Sequence, residues 1–391
     1  MLTVDIWHNV LWSRYKAVVY SETWRLGRQL NFDIRFFQIA ETDGTRAALS
    51  PVDHSAHRYP FVLLFKSSLD EIAPLRLMLR LLRHVMRTSS QLVCLVDHGH
   101  AAYWAQLLAL KLRGKKVAVF CDATLHDHAE VAWKALCKRI VFRLLDGAFC
   151  YGARSRDYLI KYGMPVDRIY VRRQAAALPP DYDAAQIPGL RLLHAPDASA
   201  PSFLYVGRLA PEKDLETLVR ALARLRRRHP GARLVIAGGG PSGAQLQYIA
   251  AAEGVADSVI FAGGLAGPAL AGLFLGATCL ILPSSSEPWG LVVNEALHYG
   301  CPVIVSDRCG CAPELVDDLA VGQIFRCGDV DELAEKLADA IDRYADRAAT
   351  AKACLDRIAP FHPTLAARQL CSGLRQIGHK PRRSLLPLGG R

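Results

Sequence analysis

No run of apolar residues in this chain approaches the roughly 18 to 20 that a membrane-spanning helix needs, so no transmembrane anchor is expected. The opening residues, MLTVDIWHNVLW, carry neither a basic region nor a cleavage site, and no secretory signal is expected. Eleven cysteines are scattered without a CxxC pair, which suits reduced thiols in a cytoplasmic protein rather than a disulfide framework. Cys309 and Cys311 are too close together for a zinc pair of the usual spacing. Acidic residues are in deficit, 37 against 48 Lys and Arg, leaving a formal charge of +11 that calls for a polyanionic partner or an anionic surface. No nucleic-acid-binding motif accompanies the charge, so nucleic acid is not the expected partner.

What is present is a globular chain, 51% hydrophobic and 22% charged, whose 391 residues suggest two domains. Strand-like runs at 4–7, 33–39, 61–65, 92–96, 117–120, 148–150 and 169–171 alternate with helical patterns near 14–30, 71–88, 101–113, 130–144 and 153–162. A second series of strands follows at 203–206, 233–237, 259–262, 279–282, 303–305 and 322–325, with helices near 330–344 and 361–377. Such alternation predicts α/β domains built on mostly parallel sheets covered on both faces. The divisions are a first Rossmann-like domain over 1–173, an interdomain linker over 174–202 with five prolines and little periodicity, and a second Rossmann-like domain over 203–360. A helix over 361–378 and a disordered tail over 379–391 complete the chain.

Basic residues gather on first-domain helices. Arg76, Arg80, Arg83 and Arg87 recur every three or four residues in a segment otherwise rich in Leu, Met and Val, and Lys134, Lys138, Arg139 and Arg143 do the same. Such a stripe is either a solvated helix face or a surface that attaches to an anionic membrane leaflet. The second reading is favoured.

The stretch 279–306, CLILPSSSEPWGLVVNEALHYGCPVIVS, reads as strand, loop, helix, strand. Glu287 lies in its loop and Glu295 about a turn and a half into its helix, both placed for the crevice at the strand's carboxyl end where open α/β sheets bind ligands. The backbone N–H groups of Gly290, Leu291 and Val292 open the helix and favour an anion there. An anion flanked by hydroxylated groups suits this arrangement. The stretch resembles the E-x7-E signature of retaining GT-B glycosyltransferases of the family 4 type (glycosyl transferases group 1), down to EPWGLVVNEA.

The resemblance implies a GT-B architecture, two Rossmann-like domains facing each other across a cleft, with the last helix crossing back to the first. It implies that Glu287 contacts the donor sugar and Glu295 the nucleotide ribose. Val206-Gly207-Arg208-Leu209 with Lys213 resembles the family's VGRL-x3-K element, in which Arg208 and Lys213 hold the donor diphosphate as a fork and a point charge. Gly238 and Gly239 match its AGGGP loop, and the strand containing Phe261 would supply backbone contacts to the base. The donor is thus expected to be a UDP- or GDP-linked sugar and the acceptor a lipid-linked or oligosaccharide chain. Retention would follow from front-face displacement, with neither metal nor cofactor. Asp181-Tyr182-Asp183 and Asp329-Val330-Asp331 imitate the DxD of metal-dependent transferases, but one falls in the linker and the other reads as a helix cap.

The first domain conforms less. The family's glycine-rich loop after the first strand is replaced by a segment holding His8 and Asn9. His98 and His100 resemble its HAH-x-W region, and these four are the acceptor-side candidates. The histidine expected after the next strand is missing; Asp122 is the first substitute and His126, followed by His128, the second. The expected function is a transferase, peripheral on the cytoplasmic face of the membrane, acting in surface polysaccharide biosynthesis. Alternatives are a nucleotide-sugar epimerase of the same shape and a catalytically silent membrane-bound partner subunit.

Overall fold

The computed structural model describes residues 1–44, 52–97, 99–127, 131–195 and 200–381. Two compact units divide the chain: Met1–Ala177 with the segment from Pro363 onward, and Leu178–His362. The first holds seven parallel strands, β1 (Leu2–Val10), β2 (Phe32–Ala40), β3 (Phe61–Leu63), β4 (Leu92–Leu95), β5 (Lys116–Cys121), β6 (Gly147–Cys150) and β7 (Ile169–Val171), in the order β3-β2-β1-β4-β5-β6-β7. The second holds β8 (Ser202–Val206), β9 (Arg233–Ala237), β10 (Val259–Gly263), β11 (Cys279–Leu282), β12 (Val303–Ser306) and β13 (Gly322–Phe325), also parallel, in the order β10-β9-β8-β11-β12-β13.

Strands β4, β6, β11 and β12 are buried at every position, because helices cover both faces and leave no side for alternating polar residues. In each sheet the strand order reverses beside the first strand. The switch points therefore lie between β1 and β4 and between β8 and β11, where the crevice beyond the carboxyl ends is open to a ligand.

Helix Pro363–His379 is part of the first unit. Its Ala367, Leu370, Cys371, Leu374 and Ile377 join Val4, Ile6, Leu92 and Phe149 in one core cluster. Gly147 and Gly373 permit this approach, since a Cβ on either would lie 2.6 Å from Ile377 or 2.4 Å from Phe149. Residues 382–391, most of the stretch expected to be a disordered tail, lie outside the described residues.

The segment 174–202, read from the sequence as an interdomain linker, contains regular structure. Helix Ile187–Leu193 interrupts it, and Arg191, fully buried, donates to the carbonyls of Phe274, Leu275 and Ala277 at 2.9, 2.8 and 2.6 Å. Those carbonyls end helix Gly267–Gly276, so a cation meets the negative end of a helix dipole and ties helix Ile187–Leu193 into the second unit. The eleven cysteines are all free thiols. No helix among the described residues is long and apolar enough to cross a membrane.

Candidate active site

The donor-side candidates meet at the switch point of the second unit. After β8 the chain runs through Gly207 and Arg208 to a short turn, Pro211–Lys213; after β11 it runs through Ser284 to Gly290. The two loops are bonded together, the Ser285 N–H donating to the Glu212 carbonyl at 2.9 Å. The Lys213 ammonium lies 2.7 Å from a Glu287 carboxylate oxygen, with the two side chains 12% and 16% exposed. Arg208 is more open, 39% exposed, and pairs with Glu212 at 2.8 Å. Both candidate phosphate-binding cations thus carry a carboxylate partner. Glu212 stood beside the motif in the sequence but was given no role there, because an i, i+4 pair is ordinary.

Each position is fixed from behind. The buried Tyr205 hydroxyl donates to the Arg208 carbonyl at 2.7 Å. Burial, and secondarily the Glu287 charge, pushes its phenol well above the usual tyrosine range. Gly238 packs backbone to backbone on the β8 loop: at φ +144° a Cβ would lie 1.9 Å from the Gly207 oxygen. Gly239 is exposed, and a Cβ there would meet nothing within 4 Å. Phe261 sits half-buried in edge strand β10, two residues before Gly263, whose carbonyl accepts from the Gly238 N–H at 2.7 Å.

Glu287 is also held from the turn that follows β12. The Gly310 N–H donates to the Glu287 carbonyl at 2.8 Å and the Cys311 N–H to that of Trp289 at 2.9 Å. A Cβ on Gly310 would lie 1.8 Å from the Pro288 oxygen, so glycine is required. Trp289 is buried and donates to Asn294 at 2.8 Å, tying the loop to helix Leu291–His298. Gly290, at φ +90°, turns the chain into that helix; Leu291, Val292 and Glu295 follow in it, all partly buried. The 306–311 brace was missed; its cue was the glycine in Asp307-Arg308-Cys309-Gly310-Cys311, but its bonds reach back from Gly310 to Glu287 and from Cys311 to Trp289, far outside any local pattern.

In the first unit three of the candidates, Asn9, His100 and Asp122, act on one carboxylate, that of Asp97. Tyr103 donates to the Asn9 amide oxygen at 2.8 Å, and Asp97, which the sequence reading missed, accepts from the Gly99 N–H at 2.7 Å and from Asn9. Burial raises the Asp97 carboxyl above its ordinary range, and these bonds oppose the shift. Asn9 and Asp97 thus meet at the β1–β4 switch point. His8 is engaged through Nδ1 with the Val10 carbonyl at 3.0 Å and Gln38 at 3.2 Å. His100 caps helix Ala101–Leu112, its Nδ1 accepting from the Ala102 N–H at 3.1 Å. His98 and His128 lie outside the described residues. Asp122 and His126 are exposed in the turn after β5, where Asp127 accepts from the Thr124 N–H at 2.6 Å.

The two DxD look-alikes are caps: Asp183 accepts from Ala185 at 2.9 Å and Asp329 from Glu332 at 3.0 Å. Among the described residues, no group of three His, Cys, Asp or Glu forms a metal-ligand set.

The profile of a family described as Glycosyl transferases group 1 matches residues 194–354. That matched region, similar to a glycosyl transferases group 1 domain, contains every donor-side candidate, Gly207 through Glu295. A GDP-mannose-dependent alpha-(1-6)-phosphatidylinositol monomannoside mannosyltransferase of Mycobacterium tuberculosis is 39% identical over 156 residues, 38% of this chain and 40% of that protein. A D-inositol 3-phosphate glycosyltransferase of Acidothermus cellulolyticus is 35% identical over 240 residues, 54% and 52% of the two chains. The chain therefore spans about half, or less, of the length of these relatives. Over nearly the whole chain the likeness is one of fold: the structure of Anabaena Alr3699/HepE with UDP and glucose matches 96% of this chain and 100% of its own, at TM-score 0.68 and 18% identity. The fold is GT-B.

Proposed function

We propose that this chain is a retaining glycosyltransferase that moves a sugar from a nucleoside diphosphate to a lipid-linked or oligosaccharide acceptor. The observation that carries the reading is the Lys213–Glu287 pair, closed at 2.7 Å beside Arg208 where β8 and β11 end. A diphosphate seated there meets a guanidinium fork, an ammonium and the N–H groups at the start of helix Leu291–His298. Its sugar lies against Glu287 and its ribose against Glu295. As the bond from the anomeric carbon to the phosphate oxygen breaks, negative charge grows on that oxygen, and Arg208 and Lys213 stabilise it most when it is largest. The same oxygen takes the proton of the acceptor hydroxyl entering on the same face, which gives retention. Glu212 competes with the diphosphate for Arg208 and gives it up on binding.

The Anabaena structure holds UDP, and the mycobacterial relative is named for GDP-mannose, so both nucleotides stay open. The acceptor reading places the enzyme on the anionic inner leaflet in surface polysaccharide synthesis. It is supported by helix Pro74–Arg87, where four exposed arginines stand among exposed Leu75, Leu79 and Met86.

Thermal unfolding with UDP, GDP, ADP and TDP tests the donor site, since a ligand of the native state raises apparent stability. One nucleotide should raise the midpoint, and its sugar conjugate should be hydrolysed or transferred at a rate EDTA leaves unchanged. A free 2-epimer formed without acceptor would favour an epimerase. No response to any nucleotide would favour a silent subunit.

A further inference from the structure

The carboxyl edge of the first sheet holds a second group of cations that the donor chemistry does not use. Arg172 directly follows β7, is 1% exposed, and none of its three guanidinium nitrogens meets a hydrogen-bond acceptor among the described residues. It lies 5.1 Å from the Tyr151 ring centroid and 5.8 Å from that of Phe120. The Lys16 ammonium, also buried, lies 4.7 and 5.5 Å from the same two rings and donates to the Tyr151 hydroxyl. The Tyr20 hydroxyl, one helical turn beyond Lys16 and fully buried, has no partner among the described residues.

Two cations gathered on the same pair of rings repel one another. Ring attraction returns less to a desolvated cation than taking that ion out of water costs. A dry, unpaired guanidinium is therefore strongly unfavourable unless an oxyanion joins it.

We propose that Arg172, Lys16 and the Tyr20 and Tyr151 hydroxyls bind a phosphoryl group in the first unit. The planar fork of Arg172 matches two phosphate oxygens and the Lys16 ammonium a third, with a hydroxyl on either side. Assigning this group to the acceptor rests on the glycosyltransferase reading, in which the donor diphosphate has its own cations at Arg208 and Lys213. The site itself does not rest on that reading.

The test is thermal unfolding of the full chain in inorganic phosphate and in glycerol 3-phosphate, each with the effective nucleoside diphosphate at saturation so that the donor site is filled. Both probes should raise the midpoint of the wild type further, and Arg172→Met should abolish that rise while keeping the nucleotide's own shift. A larger effect of the ester assigns the site to a phosphoryl group carried on an organic acceptor, and a larger effect of the free ion to inorganic phosphate; either supports the site. If Arg172→Met does not fold, Lys16→Gln, which keeps a polar side chain beside Tyr151, should lose the shift instead. A phosphate shift that survives in the folded variant, or a wild type without one, makes Arg172 a stacked core residue and overturns the proposal. Failure here with the nucleotide shift intact leaves the donor site standing.

Discussion

Lys213 and Glu287 neutralise each other at 2.7 Å, so a diphosphate reaching Lys213 meets a cation that already has a counter-charge. On the proposed roles, in which the Glu287 carboxylate serves the sugar and not the phosphates, removing it should leave nucleoside diphosphate affinity unchanged or tighter while transfer falls. Glu295→Ala should do the opposite and weaken the nucleotide by about 1.5 to 3 kcal/mol, the worth of a charged hydrogen bond to a ribose hydroxyl. Titration calorimetry separates them, and equal affinities for wild type and Glu295→Ala would end this division of roles. The glycines divide as sharply. Gly238→Ala drives a Cβ into the Gly207 carbonyl at a left-handed φ and should cost about 3 kcal/mol. Gly239→Ala has open space and should leave stability within about 0.5 kcal/mol. Weaker nucleotide binding by a fully stable Gly239→Ala would report close approach of the donor to that backbone; unchanged binding would remove Gly239 from the site.

At the scale of elements, buried charge does much of the positioning. Asp5 in β1 is fully buried and accepts from Arg35 at 2.9 Å, Thr88 at 2.6 Å, Ser90 at 2.7 Å and His84 at 3.0 Å, so one carboxylate joins β2 and the end of helix Pro74–Arg87 to β1. Burial opposes its ionisation, but bonds from His84, Thr88 and Ser90 and the charge of Arg35 outweigh this and hold the carboxyl below the ordinary range. A depressed native pKa means the stabilisation is complete above about pH 4 and fades as pH falls through the native value. Asp5→Asn should therefore lose about 3 kcal/mol at pH 7, near the low end for a broken buried pair because Arg35 keeps access to water. The gap to wild type should narrow at pH 3. Urea unfolding at both values measures it, and a gap of the same size at both would show that Asp5 acts by packing alone. None of this was legible in the sequence, where its partners stand 30 to 85 residues away. The strands were legible because each is a short apolar run between turn residues, as in β11 and β12. Helix Ile187–Leu193 was not, since what holds Arg191 is a set of carbonyls over 80 residues on. Glu287, Lys213 and Arg208 could be found by motif, whereas their pairing with one another and with Glu212, and the brace from Gly310, required the fold.

Over the whole molecule the net charge is +11, and part of it lies where apolar side chains are also exposed. Helix Pro74–Arg87 buries Leu77, Leu81 and Val85 and leaves Leu75, Leu79 and Met86 in water beside Arg76, Arg80, Arg83 and Arg87. Helix Ala132–Leu144 likewise exposes Trp133, Leu136 and Ile140 near Lys134 and Arg139. A merely solvated face would have little use for those apolar residues, whereas an interfacial helix places them in the headgroup region beneath its cations. Arg80, Arg83 and Arg87 also line a hollow of about 180 Å³ together with the apolar Trp7, Phe37 and Leu64. If this surface docks on anionic lipid, changing the four arginines to Glu should abolish sedimentation with phosphatidylserine-containing vesicles, since each contributes about 1 kcal/mol and the sign reverses at every site. Wild-type binding should fall as salt rises, because exposed charges are screened over about 10 Å at 0.1 M. Transfer to a tail-free acceptor should persist in the variant, as none of the four belongs to the donor site. A variant that still pellets with the vesicles, or a wild type that never does, would make the stripe an ordinary solvated face and leave the charge to serve the phosphoryl groups alone.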